Sequence, residues 1–409
     1  MWTVLANRTF RRLFVAQVIA LVGTGLLTVA LGLLAYDLAG GSAGAVLGTA
    51  LAIKMIAYVT VAPVVTAVTA RLSRTTVMVS ADGIRAAIAL LLPFVGQTWH
   101  IYVLVFVLQA ASATFTPTFQ SVIPTVLADD EDYTRGLSLS RLAYDTESLV
   151  SPLVAGALLL VISYDHLFVG TALGFVASAI LVLSSGLPRR STTTPLRSRM
   201  TGGITTMTRR PALRGVLALD LVVAAATALV LVDTVVYTRG ILGAAEVGVA
   251  IALAAFGVGS MTVALAMPRL LRHRTDRRVM LTGGAVVPVT LASIAPLSAV
   301  TPGPVVGWIW LSASWIVLGA ATSAMLTPSA RVLRDESTDA DRASIFTARF
   351  SLSHAWFLLT YPIAGWVGAA VGQVIAALIL AALATLAASA AVRLWPVRAI
   401  DRHEVGVGG

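Results

Sequence analysis

Cysteine is absent from all 409 residues, which excludes disulfides and thiolate-ligated metal or redox centres. Charge is scarce: Asp, Glu, Lys and Arg together make up 12%, about half the share of an ordinary soluble domain. There is one lysine, Lys54, and only 5 histidines, none in a His-rich tail after Arg402. No glycine-rich lysine motif for cradling phosphates occurs, which argues against ATP-driven work by this chain. No nucleophile-and-base arrangement is visible either, so an enzyme is not expected, and nothing calls for a cofactor.

What the chain has is apolar length. Hydrophobic residues make up 57% and the mean hydropathy is +0.89, the profile of a polytopic membrane protein. A helix needs about 20 apolar residues to cross the hydrocarbon core, and continuous runs of that length exclude a barrel, whose strands alternate over about 10. The expected fold is all-α, with 12 transmembrane helices near 13–36, 44–69, 77–97, 100–123, 136–161, 166–187, 213–238, 246–268, 279–299, 304–327, 342–366 and 372–394. NRTFRR precedes an apolar run too long for a signal-peptide core, so it reads as the start of a retained first helix.

The net charge of +10 does not indicate a nucleic-acid partner, because nearly every Arg lies between apolar runs. Alternate loops collect Arg8, Arg11, Arg12, Arg71, Arg74, Arg135 and the 189–214 cluster on one side, whereas the other side holds Arg239 beside Asp37, Asp165 and Glu246. The positive-inside bias then places both termini and the central loop in the cytoplasm. Residues 188–212 form the only long polar linker; they divide an N-terminal six-helix bundle (1–187) from a C-terminal one (213–394), with a cytoplasmic tail at 395–409. Thr116-Pro117 recurs as Thr327-Pro328, Ser138-Leu139-Ser140 as Ser351-Leu352-Ser353, and Pro152 with Gly156 as Pro362 with Gly365, at nearly constant spacing. Two pseudo-symmetric halves follow, an architecture used by transporters.

Charges deep in such segments are costly and normally face a cavity or a partner. In SLSRLAYDTES (138–148), Arg141 and Asp145 share a helical face with Ser148 and Pro152, and Tyr144 and Glu147 lie on the neighbouring one. An Arg141–Asp145 pair that only ties helices together is one reading. Glu147, with no partner at helical spacing, or Asp145 as a proton or cation site is the other. Lys54 falls mid-helix, one turn from Tyr58, and needs a carboxylate from Asp37, Asp145 or Glu147. His354 occupies the place of Arg141 in the repeat and titrates in a useful range. Asp220 reads as a cytoplasmic-end residue, and Asp233 as one that faces an outer vestibule. Polar stripes, Gln17, Thr24 and Thr28 on the first helix and Gln109, Ser112, Thr116 and Gln120 on the fourth, suit a cavity lining.

Over essentially its whole length the sequence resembles the major facilitator superfamily. FTPTFQSVIPTVLADDEDYTRGLSLSRLAYDTESLVSPLVAG resembles the helix four to helix five region of bacterial exporters that include macrolide and siderophore efflux proteins. ALGLLAYDLAGGSAGAVLGTALAIKMIAYV adds a likeness to the nickel-resistance branch. The resemblance implies a central path lined by helices one, four, seven and ten. It also implies a basic loop motif between helices two and three, here TAVTARLSRTTV: Arg71 and Arg74 stand, but Thr66 and Ala70 replace the expected Gly and Asp. Asp82, with Arg85 one turn later, is placed to pair with either arginine at that gate. The antiporter signature of helix five survives as Ser151-Pro152 and Ala155-Gly156, which favours export.

The expectation is therefore a proton-coupled secondary exporter, acting as a monomer in the bilayer, whose partners are protons and a small cationic substrate. The branch resemblance implies a divalent metal such as nickel, for which Asp145, Glu147 and His354 offer oxygen and imidazole ligands. The alternative is a lipophilic cationic drug held by Trp308, Trp315 and Trp356. A third reading is a non-transporting sensor or scaffold with the same fold.

Overall fold

A computed structural model describes residues 2–58, 72–127, 129–186, 204–300, 303–338 and 342–396, and every regular element among them is helical. The first group of helices is α1 (Arg8–Ala39), α2 (Ala43–Ile56), α3 (Arg74–Leu91), α4 (Thr98–Val126), α5 (Asp130–Leu159) and α6 (Tyr164–Ser184). The second group is α7 (Pro211–Val235), α8 (Val247–His273), α9 (Asp276–Ile294), α10 (Pro304–Asp335), α11 (Arg342–Pro362) and α12 (Gln373–Leu394). A π turn continues α7 over Val236–Ile241, and another continues α11 over Ile363–Val367.

Helices dominate because lipid offers no substitute for backbone hydrogen bonds. At the polar ends, side chains take over the free N–H groups: Asn7 accepts from the Phe10 amide, Ser73 from Thr76 and Thr275 from Arg278. Pro211 and Pro304 open α7 and α10, where a missing N–H costs nothing.

Nine stretches among the described residues are long and apolar enough to cross a membrane; one of them, Arg8–Ile56, runs α1 and α2 together. In α5 only Val150–Leu159 is continuously apolar, because the polar run expected to do chemistry occupies its earlier half. Short turns such as Gly40–Ser42 send successive helices back across the bilayer. One end of the molecule thus carries the start of α1, the flanks of the 187–203 segment and the end of α12, here termed the linker end. The opposite is the far end.

Within the first group α1 packs on α6, α5 and α2, and α3 on α4 and α6; within the second, α8 and α9 pack on α10, and α7 and α9 on α12. Between the groups α5 packs on α8, and α2 on α11, its π turn and α7. Small residues allow these approaches, since membrane helices gain little from hydrophobic contrast and rely on close packing. A Cβ on Gly259 would overlap the Ile316 carbonyl oxygen, and one on Gly319 the Phe256 carbonyl, so α8 and α10 meet backbone to backbone.

The seam between the groups uses the same device at the far end. A Cβ on Gly48 would lie 2.6 Å from the Tyr361 carbonyl oxygen and 3.1 Å from the Gly365 Cα, and one on Gly365 would overlap the Gly44 carbonyl. The Trp366 indole donates to the Thr49 hydroxyl at 2.8 Å. The Arg239 guanidinium stacks 5.4 Å from the Tyr36 ring centre.

Gly259→Ala and Gly319→Ala are each expected to destabilise the protein by about 1–3 kcal/mol through forced separation of α8 and α10. Gly83→Ala, with open space around its Cβ position, is expected to cost nothing and to gain up to about 1 kcal/mol from helix propensity. Thermal unfolding of the purified protein in detergent measures both.

Candidate functional site

Past the glycine contacts, α2 carries Lys54 towards mid-depth, and Tyr58 follows in the last described turn of that segment. Across the seam α11 presents His354. The structure brings these three sequence-predicted residues together: the Lys54 ammonium lies 5.7 Å from the Tyr58 ring centre, and the Tyr58 and His354 rings are 5.9 Å apart. Phe350 packs on His354 at 4.0 Å and Phe357 at 6.2 Å, and Phe357 stacks on Tyr361 at 5.0 Å. His354 Nδ1 sits 2.7 Å from the Phe350 carbonyl oxygen. A carbonyl only accepts, so Nδ1 carries the proton of the neutral ring and Nε2 is the free acceptor.

The positive charges of Lys54 and Arg349 both bear on His354. Arg349, also on α11, is held by Asp220 of α7 through Nη2 to Oδ1 at 2.8 Å and Nε to Oδ2 at 3.2 Å. This two-pronged, largely buried pair is the strong form of a charge-assisted hydrogen bond. Asp220 is thus an interhelical partner and not the helix-end residue expected. Arg349 was not singled out in the sequence, although an arginine well inside an apolar run is itself a signal that it needs a carboxylate.

In α5 the backbone of Arg141, Tyr144, Asp145 and Glu147 is helical, but their side chains, and those of Thr116 and Gln120 on α4, lie outside those described. Arg71 lies outside the described residues altogether. Among the described residues no group of three or more His, Asp and Glu side chains is placed to hold a metal ion. Pro152 is buried within α5, and a Cβ on Gly156 would touch Ala250 at 3.2 Å, so the remnant of the antiporter signature forms part of the α5–α8 contact.

The polar stripes are partly spent on packing. Ser140 on α5 donates to the Gln17 amide oxygen at 2.5 Å, tying α5 to α1. Thr24, Thr28 and Ser112 each donate to the carbonyl one turn back; Thr28 is exposed, Thr24 and Ser112 half-buried, and Gln109 buried. Of the expected gate set Arg71 falls outside the described residues, and Asp82 and Arg85 form a pair of their own. They bond to each other inside α3, with the guanidinium between Phe115 at 4.6 Å and Phe175 at 4.3 Å. One-turn spacing and a dry aromatic sandwich between α4 and α6 explain the choice. Arg74 stays half-buried at the start of α3.

Of the three tryptophans, Trp315 and Trp308 serve packing, whereas Trp356 also lines an apolar cavity with Leu217, Leu352, Ala355, Leu358 and Leu359. Trp315 is fully buried, donates to the Thr234 hydroxyl at 2.8 Å and meets Tyr237 edge-on. Trp356 donates to the Leu217 carbonyl at 3.1 Å, and Trp308 lies against the Gly248 position.

These observations define an integral membrane protein with ionisable side chains at the surface between two packed helix groups, the construction of a membrane transporter. Residues 13–311 match the model of the Major Facilitator Superfamily, and the chain belongs to that family. The nucleoside transporter NupG superposes with a TM-score of 0.68 at 15% identity, covering 95% of this chain and 100% of that one. A POT family transporter in complex with 5-aminolevulinic acid gives 0.74 at 10%, covering 95% and 96%. A bacterial homologue of the human lysosomal transporter Spinster, inward-facing and unoccupied, gives 0.70 at 13%, covering 95% and 98%. At such identities the likeness shows the fold alone. Comparison with curated proteins finds no match.

Removing one partner of the Asp220–Arg349 pair is expected to cost about 3–5 kcal/mol, because the other charge is left uncompensated. Asp220→Ala should therefore unfold earlier in detergent than the double variant Asp220→Leu/Arg349→Met, which removes both charges.

Proposed function

We propose that this superfamily member is a proton-coupled exporter of a cationic substrate, a divalent metal such as nickel in preference to a lipophilic organic cation. The observation that carries the reading is the meeting of Lys54 and Tyr58 with His354 across the seam of two helix groups. Ionisable groups at a surface that must part and re-form can exchange protons as it moves. The bundles 1–187 and 213–394 are the units that rock about a site at mid-depth, joined by the 188–212 linker, with both termini in the cytoplasm. In the described part of the seam Lys54 is the unpaired charge, and it repels a cation, whereas His354 is neutral and Arg349 is paired with Asp220. The substrate's place is therefore with Asp145 and Glu147 on α5, where carboxylates bind either a proton or the cation but not both. Release outside follows protonation of the acids, and reloading inside follows loss of that proton. The direction of transport rests on the efflux-type resemblance of α4 and α5 and on the Pro152 and Gly156 remnant.

Metal ranks above organic cation because Trp315 is fully buried, and the apolar cavity that Trp356 lines with Leu217, Leu352 and Leu358 presents no carboxylate to a cation. The branch resemblance to nickel-resistance exporters supports the same order. The protein acts as a monomer in the bacterial cytoplasmic membrane and requires no cofactor.

The test uses everted membrane vesicles with an acid interior. Nickel accumulation is expected to follow the pH gradient, to collapse with a protonophore and to fall at least about tenfold in Glu147→Gln at unchanged protein level, as removal of a coupling acid requires. Lys54→Gln is expected to lower the rate less and to shift its pH profile. Nickel uptake independent of the gradient would remove the proposal, and uptake of a cationic dye in place of nickel would exchange its substrate.

A further inference from the structure

Asp233 has no role in the scheme above, yet it is a described acid with no exposed surface and no ion-pair partner. It lies near the far end of α7, fully buried; neither carboxylate oxygen has a partner at full hydrogen-bond geometry, and the polar group that faces it is the neutral side chain of Gln373 on α12. A Cβ on Gly44 would lie 2.8 Å from Asp233 Oδ1 and 3.8 Å from the Gly365 Cα. The carboxyl group is therefore pressed against the backbone of α2 where α2 meets α7 and the π turn of α11, inside the far-end contact between the two helix groups. Two further polar atoms there are buried and unpartnered: the Tyr237 hydroxyl, one turn along α7, and Gln373 Oε1 at the start of α12.

The neighbours supply no compensating charge. From α2 the facing residues are Gly44 and Gly48, from α11 and its π turn Tyr361 and Gly365, from α12 Gln373, and from α10 Trp315 behind Tyr237. Arg239, the cation at this end, stacks on Tyr36 of α1. The acids Asp37, Asp165 and Glu246 surround Tyr164. None of these groups forms an ion pair with Asp233.

A bare carboxylate in such a place loses its water and receives only the neutral Gln373 side chain in exchange, whereas the neutral acid carries its own proton into the contact. When the groups part at the far end, as alternating access requires, Asp233 meets water and that penalty disappears. We infer that Asp233 is a proton-binding latch: the far-end seam closes on the protonated acid and is forced apart by the ionised one. This deepens the exporter reading, resting on its premise that the two groups rock, and adds a proton site on α7 separate from the α5 acids.

The absence of cysteine makes the test direct. Ser42→Cys, in the turn after α1, and Ala245→Cys, ahead of α8, are both exposed and carry spin labels on opposite sides of the far-end seam. Their distance distribution is measured by double electron–electron resonance in nanodiscs between about pH 5 and pH 9, in sodium chloride and in choline chloride, the open-to-closed ratio changing by up to about tenfold per pH unit for a single linked proton. Raising the pH is expected to populate a longer distance, identically in both salts. Asp233→Asn, which keeps the shape and removes the charge, is expected to stay at the short distance throughout; Asp233→Ser serves if that variant does not fold. A distance that does not respond to pH, a response surviving in Asp233→Asn or Asp233→Ser, or closure that requires sodium would each overturn the latch. Glu147→Gln in the same labelled protein is expected to keep the distance response while losing gradient-driven transport. Failure of transport to follow the gradient, with the distances still responding, would sink the exporter reading and leave the latch standing.

Discussion

In a membrane interior a polar group has no water to fall back on, and that constraint orders this structure from the backbone outward. Helices satisfy the main chain, and threonines and serines turn their hydroxyls onto carbonyls one turn back. The ionisable side chains divide according to whether protein has replaced their water. Asp220 with Arg349 is provided for and holds α7 to α11; Asp82 with Arg85 is paired within α3, and the guanidinium stacks on phenylalanines of α4 and α6. Lys54, His354 and Asp233 are not provided for in the same way, and all three lie along the seam between the helix groups. Charges paired with one another thus sit within a group, and these three, without an ion-pair partner, sit between groups.

The glycines of that seam explain why it closes tightly without being permanent. Gly44, Gly48 and Gly365 bring backbone against backbone over a small area, giving a contact with many van der Waals pairs and few hydrogen bonds. Such a contact parts without stranding backbone donors, because the helices on either side retain their own ladders. The Trp366–Thr49 hydrogen bond and the Arg239–Tyr36 stack add orientation at the rim, where water can take their place.

Much of this was legible from residue order. Continuous apolar runs pointed to the helical membrane class, and the whole-length resemblance to the superfamily that residues 13–311 match. The mid-helix lysine and the histidine in the repeat position were visible as ionisable groups out of place, and the structure sets them side by side. What could not be read was rotational: which face of a helix looks towards which neighbour. Asp82 was assigned to a gate because it lies beside a basic loop in sequence, but its helix turns it towards α4 and α6, where Arg85 is nearest. The tryptophans were candidates for a binding wall because nothing in the sequence distinguishes a packed indole from an exposed one. Asp233 shows the same limit, since a carboxylate a short way before the loop arginine Arg239 looks solvated until the opposing glycines are seen to cover it.

The backbone-to-backbone crossing of α8 and α10 has a mechanical consequence. With Gly259 against Ile316 and Gly319 against Phe256, neither helix can slide along the other without driving a side chain into a carbonyl, so shear inside the second group is blocked. The pair therefore moves as one unit, and a rearrangement of the second group has to carry α8 and α10 together.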